Sequence, residues 1–320
     1  MTPVRQKAAP GPAATALAAD VARRYYIDGA TKSEIAAELG LSRFKVARVL
    51  DQARTSGLVR IELHYEGEID LDLSARLRSH YGLGRCLVID SADGDDALLR
   101  ASLGRILAQL LTEIVTPDDV LGLAWSRTLM AMRSALTSLA PCTLVQLSGA
   151  LTRPDVDESS IELVRDVARI AGGPAYWFYA PMIVPDADSA RSLAAQTEVA
   201  RAMERFGMLT KAIVTIGAWL PGQSTVLDAV GAVEAEQLAR LGLCAELGGV
   251  QLDAEGNPLR TALSERTIGI APEQLRAVPE IIATAFGRLK APAVRAAISG
   301  GFVTTLITHA ALAEELLSPP

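Results

Sequence analysis

Between Thr31 and Ser56, apolar residues recur at helical spacing in two short blocks on either side of a glycine. Thr31 followed three residues later by Glu34 is a capping-box signature, and it predicts a helix that runs to about Leu39 and ends at Gly40. Ser42 is placed to cap a second helix. Its apolar positions Phe44, Val46, Val49, Leu50 and Ala53 give one buried side, and Arg43, Lys45, Arg48 and Arg54 lie on the other. The segment from Thr15 to Ile27 reads as a third helix, with Leu17, Val21, Tyr25 and Ile27 available to cover the pair. Gly57 to Leu63 reads as a turn into a short alternating strand that would close a small winged domain.

Beyond Glu66 the pattern changes. Glu68 to His80 reads as a helix with Ile69, Leu73 and Leu77 on one side, either linking head to body or pairing with its counterpart in a partner. Arg85 to Ile89 is a compact apolar strand, followed by an acidic loop from Asp90 to Asp96 and a long helix from Ala97 to Val115. Strands are then expected near 119–124, 142–147, 175–179, 212–216, 243–247, 280–285 and 303–307. Helical patterns fall at 127–138, 158–171, 189–207, 234–241, 291–299 and 309–317. Short apolar strands alternating with helices predict a mainly parallel, Rossmann-like sheet covered on both faces. The expected division is a flexible arm over 1–14, a helix-turn-helix head over 15–65, and a linker helix with a large α/β domain over 66–320.

Charge separates the parts. Residues 1–63 carry ten Lys or Arg against six acids, a net of +4 in a chain that totals -6, so the remainder carries -10. That asymmetry puts a nucleic-acid surface on the head and not on the body. The expected DNA-contacting set is Thr31, Lys32, Ser42, Arg43, Lys45, Arg48, Arg54 and Arg60; Arg43 and Lys45 sit in the first turn of the second helix, the part that points into a major groove. Positive charge this modest implies two or more heads on one operator, hence a homo-oligomer. No run of eighteen apolar residues is free of charges or breakers, and the N-terminus lacks an apolar signal core, which together predict a cytoplasmic protein with no membrane partner. Cys86, Cys142 and Cys244 read as buried small hydrophobes; with His64, His80 and His309 they form no metal spacing, and no cofactor is expected.

In a parallel α/β sheet the ligand belongs at the carboxyl ends of the strands. One apolar strand runs through Trp125 into Ser126, Arg127 and Thr128, where Ser126 can cap a helix and free amides face an anion. Gln146 interrupts another strand and needs a hydrogen-bond partner if buried, with Gly149 just beyond it. Gly217 ends a third strand, and Gly287, Arg288 and Lys290 follow a fourth. These residues suggest a pocket for a phosphorylated, hydroxyl-rich small molecule. No acid and base pair can be assigned from spacing, and nucleophile-elbow and nucleotide motifs are absent, so a sensor is expected and not an enzyme. An isomerase-like enzyme with an accessory DNA-binding head, or a structural interaction module, are the alternatives.

The ordered series EIAAELGLSRFKVARVLDQARTSGLV, VLGLAWSRTL, VQLSGAL, YWFYAPMIV, VTIG, RTIGI, FGRLK and LITHAALAEELL resembles the SorC family of bacterial transcriptional regulators over roughly residues 15–317. The resemblance implies an effector domain similar in fold to sugar-phosphate isomerases and CoA transferases but used as a sensor. It also implies a dimer or tetramer that binds operator DNA and responds to a sugar phosphate. By the same resemblance Ser126, Arg127 and Thr128 match the ligand-proximal turn, Gln146 and Gly149 the next strand exit, Gly217 a glycine-containing strand end, and Lys290 the lysine near the ligand phosphate. Trp125 adjoins that turn. The chain departs from the family pattern at Ser126, where a second glycine is usual. It departs again at Trp219, whose ring is expected to reshape the pocket, and at Thr308-His309, where threonine-aspartate is usual. An unphosphorylated sugar or polyol therefore stays open as the effector.

Overall fold

The computed structural model describes residues 11–60, 68–91, 94–151 and 159–319. The chain separates into two compact units, Met1–Glu66 and Gly67–Pro320.

Among its described residues the head has three helices, α1 (Pro12–Tyr26), α2 (Lys32–Glu38) and α3 (Arg43–Thr55). Helix therefore begins inside the stretch expected as a flexible arm, with Pro12 at its first position, where a missing N–H is harmless. The Thr31 hydroxyl accepts from the Glu34 N–H at 3.3 Å while the Glu34 carboxylate accepts from the Thr31 N–H at 2.7 Å. That reciprocal bond holds the Glu34 carboxyl below its usual range. The Ser42 hydroxyl caps α3 by accepting from Lys45 N–H at 3.2 Å. Val21, Ala22, Ile35, Ala36, Val46, Leu50 and Ala53 form the head's own core, with Leu17, Tyr25 and Val49 partly buried against it. Two expected core positions are corrected: Phe44 is 85% exposed and Ile27 76% exposed. Phe44 precedes Val46 by two residues, which on a helix is more than half a turn, so the two cannot share a face. Residues 57–60 form no strand, and the rest of the expected wing lies outside the described residues.

Among the described residues the body has ten strands: β1 (Arg85–Ile89), β2 (Val120–Leu123), β3 (Thr143–Gln146), β4 (Ala175–Tyr176), β5 (Lys211–Thr215), β6 (Gly217–Ala218), β7 (Ala245–Leu247), β8 (Val250–Leu252), β9 (Glu280–Thr284) and β10 (Thr305–His309). Seven of them form one parallel sheet in the order β1-β10-β9-β5-β2-β3-β4. Its two faces carry separate cores, because successive side chains in a strand point opposite ways. Ala212, Val214, Ile281, Ala283 and Leu306 pack into one core, and Ile213, Ile282, Ile307, Leu121 and Leu123 into the other. Each Val, Leu and Ile among these contributes about 1.5–3 kcal/mol by burial.

The second core is closed by α5 (Asp96–Ile114), α6 (Arg127–Ala135) and α7 (Ser160–Ala171). The helix expected over 68–80 is α4 (Leu71–Tyr81); Ile69 instead bridges to Ile89, and Leu73 and Leu77 are part of the body's first core. The run near 243–247 is not another strand of the large sheet. Gly248 and Gly249, with φ of +59 and +98, turn it back on itself, and β6-β7-β8 form a small antiparallel sheet. Among the described residues no helix is long and apolar enough to cross a membrane.

Chain order reverses beside β2: β3 and β4 lie on one side of it and β5 on the other. In open α/β sheets the crevice at such a switch point is where ligands bind. At the opposite, amino edge, Asp119 is 6% exposed and accepts from Thr210 Oγ1 at 2.5 Å, Lys211 Nζ at 2.7 Å and Thr116 N at 2.8 Å. Although burial alone would raise it, these donors hold the Asp119 carboxyl down at about 2. Glu280 extends the network to Arg85 at 2.6 Å.

Candidate functional site

A cleft of about 900 Å³, counting its open mouth, lies at the carboxyl ends of β2 and β5, on the switch point. Trp125, Ser126, Arg127, Thr128, Gly149, Gly217 and Lys290 all line it. Ser126 follows the exit from β2 and caps α6, accepting from Leu129 N at 3.1 Å. Its hydroxyl also meets Thr215 Oγ1 at 2.7 Å, and Thr215 meets Thr284 Oγ1 at 3.0 Å, so a chain of hydroxyls crosses the ends of neighbouring strands. Arg127 opens the first turn of α6, half-buried, and Trp125 is half-buried beside it.

Gln146 does not join them. It is fully buried; its amide donates to Ser148 O at 2.8 Å and Ser160 Oγ at 3.0 Å, and its carbonyl accepts from Phe178 N at 3.1 Å. The need for partners was legible from its place in an apolar strand, but those partners are internal, and the residue braces the loop after β3. Trp219 likewise does not line the cleft. It packs with Met182, Val226, Leu238, Leu243 and Leu263, and its indole N–H donates to Ala235 O at 3.0 Å. His309 is buried at the end of β10, away from the lining.

The structure adds residues outside the expected effector-binding set: Asp96, Arg100, Thr215, Gln223, Ser224, Glu246 and Phe286. Glu246 is 7% exposed and accepts from Ser224 Oγ at 3.0 Å. A Cβ on Gly217 would stand 2.2 Å from Glu246 Oε1, so a glycine at that strand end is what lets the carboxylate into the cleft. Burial pushes the Glu246 carboxyl up to about 7, against the Ser224 hydrogen bond and the charge of Lys290. Lys290 is 8% exposed and donates to Ile216 O at 3.0 Å. Burial pulls its ammonium down to about 8, against the charge of Glu246. Phe286 lies between cations, with Arg100 5.4 Å and Lys290 5.5 Å from its ring centre, and Arg100 is also held by Asp96 at 2.8 Å. Glu246 did carry a sequence signal, since it interrupts an apolar run as Gln146 does. Arg100 carried none, lying on a long amphipathic helix among ordinary charges.

The lining thus offers cations and helix amides to an anion and carboxylates and hydroxyls to a polyol. Among the described residues no His, Cys, Asp and Glu side chains gather to hold a metal ion. Cys86 and Cys142 are buried free thiols, pushed up to about 12 and about 11, and Cys244 is half-buried.

In the head, Ser42, Arg43, Lys45, Arg48, Arg54 and Arg60 are all exposed. The Thr31 and Ser42 side chains are engaged as helix caps, and the half-buried Lys32 places its ammonium 5.5 Å from the Tyr25 ring centre.

Residues 65–318 match the family described as "Putative sugar-binding domain". Over 95% of this chain and 97% of its own, the erythritol catabolism regulatory protein EryD of Brucella abortus is 30% identical. The chain belongs to the SorC family of transcriptional regulators. A second relative, the deoxyribonucleoside regulator of Bacillus subtilis, is 27% identical over 94% of this chain and 97% of its own. The SorC-family fold extends to the solved full-length sorbitol operon regulator of Klebsiella pneumoniae, which superposes with a TM-score of 0.73 at 22% identity, covering 97% of this chain and all of that one.

Proposed function

We propose that this regulator binds operator DNA through the helix-turn-helix of its head, and that a sugar phosphate or related carbohydrate in the body cleft controls that binding. The observation that carries the reading is the convergence of Ser126 and the α6 amino end with Arg100, Arg127 and Lys290 in one cleft at the switch point. A helix amino end with guanidinium groups beside it suits phosphate, and the carboxylates opposite suit hydroxyls. A ligand changes operator occupancy only by binding the DNA-competent and alternative arrangements unequally. The net charge of the head supports at least two copies on one operator, as a dimer or tetramer acting in the cytoplasm.

A second reading, an unphosphorylated polyol, is favoured by one observation. The charge of Lys290 is already met by Glu246 and Ile216 O, which leaves less of it for a phosphate. Both readings are tested by titrating the full-length protein with sugar phosphates and their dephosphorylated counterparts, following thermal unfolding and affinity for duplexes enriched from a random pool. A phosphate reading requires that the phosphorylated compound bind more tightly and that Lys290→Ala remove the difference. Equal binding of the two forms selects the polyol. Absence of any ligand that shifts both observables overturns the sensor. Glu246 and Lys290 titrate near 7 and 8, the range an acid–base catalyst uses, so steady turnover of a bound sugar phosphate would instead establish the enzyme.

A further inference from the structure

Phe44 is the most exposed large apolar side chain among the described residues. It sits at the second position of α3, directly between Arg43 and Lys45, in a turn fixed by the Ser42 cap. At roughly 100° per residue, Phe44 and Arg48 both stand about 160° from the buried Val46 and only about 40° from each other. They form the ridge of α3 that faces straight away from the head's core, with Arg43 and Lys45 to either side of the ring. One turn beyond Arg48 the same ridge carries Asp51, so along this ridge the anion-compatible surface lies in the amino half of the helix.

We propose that Phe44 reads the 5-methyl group of a thymine in the major groove, flanked by phosphate contacts from Arg43 and Lys45 and by a base or phosphate contact from Arg48. The inference rests on the reading of the head as DNA-binding. A phenyl ring has no hydrogen-bonding group and makes no contribution to folding while it stands in water. Surrounded by three cations, it is placed to meet a polyanion that offers an apolar spot, and the thymine methyl is the apolar group of the major groove. A second copy of the chain is a poorer occupant, because the same three cations would face their counterparts. The assignment also changes which residues set specificity: the outward ridge is Phe44 and Arg48, and Arg43 and Lys45 are its flanks.

The test uses duplexes enriched from a random pool by the full-length protein, with each thymine replaced in turn by deoxyuridine, which removes only the methyl group. Parent protein should lose about fourfold in affinity at one thymine of each half-site, the value of one buried methyl. Phe44→Ala should bind the thymine and deoxyuridine duplexes equally at that position, with unchanged thermal unfolding, and Phe44→Leu should restore part of the difference. Identical deoxyuridine profiles for parent and Phe44→Ala, or no sensitive thymine in the parent, overturn the assignment and leave the DNA reading standing. Failure to enrich any duplex overturns both. A change in sedimentation of Phe44→Ala without DNA, with its deoxyuridine profile unaltered, gives the ring to a protein contact and overturns the proposal.

Discussion

At the amino edge of the large sheet Asp119 is buried among four donor bonds and held at about 2, while at the carboxyl edge Glu246 is equally buried, has one hydroxyl partner and is raised to about 7. Asp119 leads into β2 of the large sheet, and Glu246 stands on β7 of the small antiparallel sheet beside the cleft. What differs is how fully each charge is satisfied by its own chain. The amino edge has finished its bonding and serves the fold; the carboxyl edge keeps bonding capacity that a ligand can take up, which is where perturbed groups mark function.

The largest expected effect breaks the finished side. Asp119→Ala leaves Lys211, 14% exposed at its side chain, with only Glu280 at 3.9 Å, and should cost about 3 kcal/mol of unfolding free energy measured by urea denaturation. Acid titration sharpens the contrast. The Asp119 carboxyl is lowered from 3.8 to about 2, so its contribution is complete above pH 3.8 and is lost as pH falls through 2. Glu246 has the opposite sign: raised from 4.5 to about 7, it contributes fully below pH 4.5 and that contribution is lost as pH rises through 7. Stability of the parent should therefore decline between those values, and Glu246→Gln should flatten the decline. At neutral pH the same variant should therefore be more stable than the parent in urea denaturation, since it trades a desolvated acid for an amide of the same shape. Smallest of all, Thr215→Val removes the middle hydroxyl of the Ser126–Thr215–Thr284 chain and should cost about 1 kcal/mol in thermal unfolding. A cost several times larger would show that the carboxyl edge is as structural as the amino edge.

Much of the body was legible because each strand of the large sheet is a short apolar run between helical patterns, and β1 was placed to the residue. The small sheet was not, although Gly248-Gly249 between Ala245-Glu246-Leu247 and Val250-Gln251-Leu252 is a hairpin signal. Read for strand content alone, the first triplet looked like one more parallel strand. Of the cleft, the residues at strand exits were visible because position along a strand fixes which edge they reach. Arg100 was not, since its approach depends on how a helix crosses the strand ends in space. Phe44 shows the converse: its apolar character alone predicts burial, and the helical period puts its ring on the solvent side.

The pairing of β1 with β10 sets Cys86 beside Leu306, so the first strand of the body stays an unpaired edge until nearly the last residues exist. During synthesis the head's helical core, with Val59 the last residue packed on it among those described, is therefore in place long before the body can assemble. The cleft draws on groups from Asp96 to Lys290 and comes into being late as well. If the cleft is the effector site, as proposed, a chain that stops before Lys290 cannot answer the signal.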